Sequence, residues 1–207
     1  MRTVDWYFDF VSPYSYICLH RLEELTGVSI AYRPVLFAGL LNHFGQKGPA
    51  EVPAKRRWTY RWCTWWARQL GVPFRFPASH PFNPLQYLRL SIVAGSGHEP
   101  IRKIFDDLWT TGADANDPNR VAALCTDLGV DPARLSSNEV KASLKENTEH
   151  AAALGVFGVP SFVVDGEIFW GADSMDFLKA FLTDPATLRN PEMRRIDDLP
   201  VGAARKT

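Results

Sequence analysis

The sequence predicts an α/β protein in which the two ends of the chain share one sheet and a long helical segment separates them. Residues 1–37 have the pattern of a strand, a helix and a second strand, and residues 151–207 contain a hairpin followed by a helix. A βαβ unit and a ββα unit that share one sheet make a thioredoxin-like domain. We therefore predict a discontinuous thioredoxin-like domain of residues 1–37 and 151–207, with residues 38–150 as a large all-helical insertion.

The βαβ unit is predicted from alternation and from helix signals. Thr3 to Phe10 is rich in aromatic residues and alternates as a strand does, and Val28 to Tyr32 has the composition of a second strand. Between them, Ser12-Pro13 is a typical helix start, with serine at the N-cap and proline where no N–H is needed. The helical pattern continues until Thr26-Gly27.

The ββα unit is predicted from a turn signature. Ser161 to Val164 and Glu167 to Trp170 read as strands, and Asp165-Gly166 between them favours the positive φ angles of a two-residue hairpin turn. Gly158-Val159-Pro160 comes just before this hairpin, where thioredoxin-like proteins place a cis-proline against the start of the first helix. A cis X-Pro bond costs only about 0.5–1 kcal/mol, so this edge can expose the Val159 backbone.

A final helix is predicted over Met175 to Leu182, capped by Asp173 or Ser174. The residues from Asp184 onward are rich in proline and charge, and we predict that they form an irregular arm.

Composition excludes several kinds of function. Lys+Arg 23 against Asp+Glu 23 gives no net charge, which argues against nucleic-acid and anionic-membrane partners. We see no long apolar run and no signal-peptide pattern, so a cytoplasmic location is expected. Cys18, Cys63 and Cys125 are widely spaced and form no CxxC pair, so we expect three reduced, buried thiols and no metal site.

Two segments that are far apart in sequence are expected to meet at Ser12. The start of the first helix can stabilise an anion, and the Val159-Pro160 edge can pair with a peptide-like ligand. Glutathione carries both a thiolate and a peptide backbone, so Ser12 would donate to its sulfur and lower the pKa of its thiol. Asp173, beside the same edge, could take the amino group of the γ-glutamyl arm. The alternative is that Ser12 and Asp173 are only helix caps.

The motifs "YFDFVSPYSY", "NPLQYLR" and "GVFGVPSFVVDGEIFWGADSM" resemble the 2-hydroxychromene-2-carboxylate isomerase family, which is related to kappa-class glutathione transferases and to bacterial disulfide oxidoreductases. The resemblance spans residues 4 to about 182. It implies a thioredoxin-like fold, a homodimer, glutathione as the cofactor and Ser12 as the catalytic residue. The cofactor-binding residues that it implies are Val159, Pro160, Trp170, Gly171, Ala172, Asp173 and Ser174.

The resemblance also indicates where a substrate would bind. Asn83 matches a substrate-site asparagine of the family, while Leu41 and Glu51 stand near the places of a lysine and an asparagine that contact substrate there. The implied activity is a glutathione-dependent isomerisation of 2-hydroxychromene-2-carboxylate, or a similar aromatic α-keto acid, in aromatic-compound catabolism. A kappa-like glutathione transferase or peroxidase is one alternative, and a non-enzymatic thioredoxin-like binding module is another. Dithiol exchange is disfavoured because no cysteine stands at the helix start.

Residues 55–69, "KRRWTYRWCTWWARQ", combine an aromatic stripe with a basic edge at helical spacing. We predict that the tryptophans pack in the core, and we consider two other interpretations. One is binding of single-stranded nucleic acid, and the other is a pocket wall in which an arginine meets a substrate carboxylate. His43 and His80 lie near presumed pocket segments, although a lone histidine is more often structural. The residues of the stripe and edge are Trp58, Trp62, Trp65, Trp66, Gln69, Arg57, Arg61 and Arg68.

Overall fold

A computed structural model describes residues 1–203 of the chain. Its sheet contains β1 (Arg2–Phe8), β2 (Val28–Pro34), β3 (Ser161–Val164) and β4 (Glu167–Trp170). The strand order is β2-β1-β3-β4, with β1 and β2 parallel and the other pairs antiparallel. The two ends of the chain therefore share one sheet, as the sequence predicts.

The register of the strands brings three chain segments to one edge of the sheet. Phe8 pairs with Pro34 at the carboxyl ends of the parallel strands, and Tyr7 pairs with Ser161 at the start of the antiparallel β3. The chain leaving β1, the chain leaving β2 and the chain entering β3 consequently lie together. Ser12 follows the first of these strands and Val159 precedes the last, which explains how residues so distant in sequence become neighbours.

Helices fill the chain between β1 and β3, and residues 35–160 contain no strand. The predicted first helix is shorter than expected, because the α-helix ends at Leu19 and a separate 3₁₀ turn covers Leu22–Glu24. The helices of this part are α1 (Pro13–Leu19), α2 (Phe37–His43), α3 (Pro53–Gln69), α4 (Leu85–Val93), α5 (His98–Thr110), α6 (Pro118–Asp127) and α7 (Asn138–Ala153).

The core beside β1 is aromatic and fully buried. Trp6 stacks on Phe8 with ring centroids 4.5 Å apart, and Phe10 packs on Phe105 at the same centroid separation. The indole N–H of Trp109 donates to the Phe10 carbonyl at 3.0 Å. These contacts fix the end of β1, from which the chain continues to Ser12.

The core-packing prediction for the tryptophans of α3 is wrong for two of them. Trp58 is 61% exposed and Trp65 is 52% exposed, while Cys63 and Ala67 are fully buried against Ile17 of α1. Small residues on this face let α3 approach α1 closely, and the larger indoles are left to the side of the contact. The predicted helical period is correct, but the buried face contains the residues that follow the tryptophans by one position, such as Cys63 and Ala67.

The three cysteines are free and buried, as predicted. Burial raises the pKa of the Cys18 thiol well above its usual range and raises that of Cys63 to about 12. Within residues 1–203, none of the helices combines the length and apolar character needed to cross a bilayer.

Chain contacts separate the protein into two compact units, Met1–Ala172 and a second unit that begins at Asp173. The second unit contains α8 (Met175–Thr183) and α9 (Pro191–Asp197). The prediction of an irregular arm from Asp184 is therefore wrong for α9, whose N-cap Asn190 accepts a hydrogen bond from the Met193 N–H. Residues 204–207 of that arm lie outside the described residues, and the division into a thioredoxin-like and an inserted domain stays a prediction.

Candidate functional site

A cavity of about 310 Å³ lies at the sheet edge where these segments meet. We call it the inner cavity. Its walls come from the β1–α1 loop, the start of α2, one face of α3, the loop before α4 and the chain before β3. The lining residues used below are Asp9, Val11, Ser12, Leu36, Phe37, Leu41, Glu51, Thr59, Tyr60, His80, Phe82 and Val159.

Ser12 is the N-cap of α1 and is buried at the inner cavity, with 6% of its surface exposed. Its Oγ accepts a hydrogen bond from the Ser15 N–H at 3.2 Å, and its own N–H donates to the Asp9 carbonyl at 3.0 Å. No described residue accepts the hydroxyl hydrogen. Ser12 therefore caps the helix and can still donate that hydrogen to a ligand in the cavity.

Val159 is far from Ser12 in the sequence, but it lines the same cavity. The Val159–Pro160 peptide is cis, as the sequence predicts. Within residues 1–203, neither the N–H nor the carbonyl of Val159 has a hydrogen-bond partner, although the residue is buried. Buried backbone groups are nearly always paired, so this segment is suited to pairing with an extended ligand backbone.

The backbone around the Val159–Pro160 peptide is stabilised by its contacts with the end of β4. A Cβ atom on Gly158 would lie 2.6 Å from the Trp170 indole nitrogen, so only glycine allows this close packing. The Trp170 ring contacts Phe157 with centroids 5.0 Å apart, and the Gly171 N–H donates to the Pro160 carbonyl at 2.9 Å. The last residue of β4 and the one that follows it thus support the backbone geometry at the cavity.

Three of the remaining predicted cofactor residues lie at or beyond the end of the first unit. The Ala172 carbonyl accepts a hydrogen bond from the Arg21 guanidinium at 3.0 Å. Asp173 and Ser174 belong to the second unit, where they precede α8. Their contact with glutathione stays a prediction.

Asp9 is a site residue that the sequence analysis missed. It is fully buried, and its two carboxylate oxygens accept hydrogen bonds from the N–H groups of Val11 at 3.0 Å and Phe37 at 2.8 Å. Burial raises the pKa of this carboxyl to about 7, and the two backbone hydrogen bonds oppose that rise. A single charged residue inside the apolar run "YFDFV" was the available sequence signal.

His80 holds the same peptide segment from the other side. Its Nε2 lies 2.7 Å from the Val11 carbonyl, and because a carbonyl can only accept, Nε2 carries the hydrogen. In the neutral ring Nδ1 is then an acceptor, and the Tyr60 hydroxyl lies 2.6 Å from it. Burial lowers the pKa of His80, which favours this neutral form. The peptide preceding Ser12 is thus fixed by both Asp9 and His80.

The predicted substrate residues lie in different places. Leu41 and Glu51 both line the inner cavity, and Glu51 also accepts a hydrogen bond from the Gly48 N–H at 2.6 Å. Asn83 is exposed and is not part of the lining, although its neighbours Phe82 and Pro84 are. The substrate roles of these residues stay predictions.

The predicted pocket wall of α3 uses other side chains. Thr59 and Tyr60 line the inner cavity, whereas Arg57, Arg61 and Arg68 are exposed and do not contribute to it. The interpretation in which an arginine of this edge meets a substrate carboxylate is therefore not supported by the lining of the inner cavity. The lining instead comes from the side of the helix that faces His80.

A second cavity of about 780 Å³ lies between α2, α4 and α7, and we call it the outer cavity. Its lining includes the basic residues Arg89, Lys141 and Lys145 together with His43. The Nε of Arg89 is buried and has no hydrogen-bond partner among the described residues. Leu36 lines both cavities, so the first turn of α2 separates them.

The fold and the site together define a class of protein. A family model described as a DsbA-like thioredoxin domain matches residues 3–183, and the chain belongs to this family. The predicted thioredoxin-like fold is thereby confirmed.

Relatives within the family are more specific. The chain is 32% identical over 193 residues to a 2-hydroxychromene-2-carboxylate isomerase of Sphingobium xenophagum, with 88% of this chain and 99% of the relative covered. It is 26% identical over 205 residues to glutathione S-transferase kappa 1 of Homo sapiens, with 87% and 91% covered. A solved structure of a 2-hydroxychromene-2-carboxylate isomerase superposes with a TM-score of 0.80 at 26% identity and covers 92% of this chain and 98% of its own. The resemblance to an isomerase and kappa transferase family is confirmed.

Proposed function

We propose that this protein is a glutathione-dependent isomerase that acts on aromatic α-keto acids of the 2-hydroxychromene-2-carboxylate type, or on close analogues of them, in aromatic-compound catabolism. Glutathione and a small aromatic substrate are the proposed partners. The observation that carries the proposal is that two groups without hydrogen-bond partners lie at the same cavity. The Ser12 hydroxyl hydrogen and the Val159 backbone have no partners among residues 1–203, and both residues line the inner cavity.

These groups fit glutathione chemically. A serine hydroxyl can donate to a thiolate, and a free backbone N–H and carbonyl can pair with the peptide backbone of a ligand. When bound, glutathione supplies a thiol nucleophile, which the chain itself does not offer because its three cysteines are buried. Ser12 would therefore stabilise a thiolate by hydrogen bonding and would not itself be a covalent nucleophile.

The other residues have supporting roles in this proposal. Asp9 accepts a hydrogen bond from the Val11 N–H, and His80 donates one to the Val11 carbonyl. Together these two bonds fix the position of Ser12. Leu41, Phe82 and Val159 provide an apolar surface that excludes water from the reacting atoms. A cavity of about 310 Å³ lies within the range of small-molecule sites.

The test is a comparison of Ser12→Ala with Ser29→Ala, an exposed serine of β2. We expect Ser12→Ala to lower glutathione-dependent isomerisation about 100-fold, the usual cost of removing one anion-stabilising donor. We also expect the pKa of the bound glutathione thiol, followed by thiolate absorbance, to rise by about one unit. Ser29→Ala should change neither. An unchanged thiol pKa and unchanged turnover in Ser12→Ala would show that the proposal is wrong.

A kappa-like glutathione transferase is a second candidate, favoured by the 26% identity to the human kappa enzyme. Glutathione conjugation of a chloronitrobenzene without isomerisation of the chromene acid would support this function. Failure to bind glutathione in calorimetry would instead support the non-enzymatic binding module. The expected homodimer and cytoplasmic location stay predictions.

A further inference from the structure

The outer cavity has a positive charge that the described part of the chain does not balance. Arg89 lines it, and its guanidinium has no hydrogen-bond or ion-pair partner within residues 1–203. Lys141 lines it as well and makes no ion pair with a described residue. Glu149 is the single acid of the described lining, and it already pairs with Lys145 at 3.6 Å. Arg89 and Lys141 are therefore two cations at one cavity without a counter-charge.

The position of Arg89 makes its lack of a partner costly. It stands between Leu88 and Leu90 on α4, and both leucines are fully buried, so its backbone lies beside the core. Its Nε is buried as well and has lost hydration without gaining an acceptor. Buried polar groups without partners are rare in folded proteins. An anion in the outer cavity would provide the missing acceptors, and a carboxylate fits the planar guanidinium through two parallel hydrogen bonds.

Much of the remaining wall of the outer cavity is aliphatic. Leu36, Leu85, Leu144 and Ala152 line it, and the last two are themselves buried. Its described lining contains no phenylalanine, tyrosine or tryptophan, whereas the inner cavity has several, such as Tyr60. An aromatic ligand would therefore gain no ring stacking here. A volume of about 780 Å³ is within the range of small-molecule sites, so the cavity can accept an apolar body together with a charged group.

From this arrangement we propose that the outer cavity is a second ligand site, and that it binds an aliphatic monocarboxylate of medium chain length. Arg89 binds the carboxylate, and Lys141 adds a second positive charge from an exposed position on α7. The leucines contact the aliphatic chain and remove it from water. The site is separate from the inner cavity, since Leu36 is the only residue that the two described linings share.

The test measures binding of three probes, octanoate, octanamide and acetate, by calorimetry without glutathione. Octanamide has the chain without the charge, and acetate has the charge without the chain. Wild-type protein should bind octanoate at least about tenfold more tightly than either, which corresponds to about 1.4 kcal/mol. Octanamide binding as tight as that of octanoate would show that the cations are not used, and equally tight acetate binding would show that the aliphatic wall is not used. Either result would overturn the inference.

Variants of the lining locate the binding. Arg89→Met should lower the affinity for octanoate about tenfold or more and leave that for octanamide unchanged, because only the carboxylate uses the guanidinium. Arg57→Met makes the same change at an exposed arginine of α3 outside both cavities, and it should alter neither affinity. Octanoate binding that is the same in Arg89→Met as in wild type would place the ligand elsewhere and contradict the inference.

Two exposed positions of α7 give variants that leave the core intact. Lys141→Gln should weaken octanoate binding alone, and Ala153→Phe, which adds bulk at the lining, should weaken binding of both octanoate and octanamide. Octanoate binding that neither variant weakens would also overturn the inference. The outcome is independent of the proposed function, because glutathione binding and isomerisation are measured at the inner cavity. Either proposal can therefore fail while the other stands.

Discussion

The inner and outer cavities lie on two faces of α2 and differ in charge. The inner cavity contains no lysine or arginine in its lining, and the outer cavity contains Arg89, Lys141 and Lys145. The helical period separates them, because Phe37 and Leu41 face the inner cavity while Gly39 and His43 face the outer one. Glu149 of the outer lining pairs with Lys145, so Arg89 and Lys141 leave the outer cavity with a positive balance of charge that the inner lining lacks.

This difference shows that size alone does not identify a functional site. The outer cavity has the larger volume, about 780 Å³ against about 310 Å³. The inner cavity nevertheless contains the buried Asp9, the free Val159 backbone and the Ser12 hydroxyl. Buried ionisable groups with perturbed pKa values cluster at functional sites, which favours the inner cavity.

The largest expected effect is a pH dependence of the unfolding free energy that the buried Asp9 carboxyl of the inner cavity causes and that exposed carboxyl groups do not. The pKa of Asp9 is raised from 3.8 to about 7 in the folded protein, so folding favours its protonated form. As pH rises from about 4 to about 7, the unfolded chain loses this proton first, and the folded protein loses stability. The loss is at most about 4 kcal/mol at about 1.36 kcal/mol per pKa unit.

Urea unfolding of wild type and Asp9→Asn at several pH values measures this effect. Asp9→Asn should be less sensitive to pH over that range, so the difference in unfolding free energy should change steadily in favour of the variant as pH rises. Asp198→Asn, an exposed position, serves as the control. A pH-independent difference for Asp9→Asn would contradict the raised pKa.

The next effect concerns the backbone edge that only the inner cavity possesses. Gly158→Ala would place a Cβ atom 2.6 Å from the Trp170 indole nitrogen, so either the ring or the Val159 edge must shift. We expect a destabilisation of about 1–3 kcal/mol, as overpacking usually causes, and weaker glutathione binding. Calorimetry and thermal unfolding measure both quantities. Gly97→Ala is the matched control, because its nearest neighbouring atom would be 3.8 Å away, and glutathione binding equal to that control would contradict the expectation.

The smallest effect is expected at the outer cavity. Arg89 makes no hydrogen bond or ion pair with the described residues, and its Nε is buried. Replacing it with methionine, which keeps much of the apolar packing, should be neutral or stabilise the fold by about 1 kcal/mol. Chemical unfolding tests this, and glutathione binding at the inner cavity should not change. A loss of more than about 1 kcal/mol would mean that the guanidinium stabilises the fold through interactions that the structure does not show.

The sequence predicted the parts of the site that depend on local patterns. Ser12 follows from a helix-start signal, and Val159 follows from a glycine-valine-proline run before a strand. Asp9 was not predicted as a site residue, and His80 was placed near the pocket without a role, because their contacts are distant in sequence. Asp9 contacts Phe37, 28 positions away, and His80 contacts Val11, 69 positions away. The tryptophans of α3 show the complementary error, since a period predicts a helix but does not decide which face packs.

The burial of Cys18, Cys63 and Cys125 has a practical consequence for chemical labelling. Their raised pKa values leave very little thiolate at neutral pH, and alkylating reagents react with the thiolate. The folded protein should therefore be nearly unreactive toward such reagents on its own. Any rapid alkylation observed after glutathione is added can be assigned to the added thiol, and its excess over the rate for free glutathione alone reports the reactivity of the bound thiol without removal of a native cysteine.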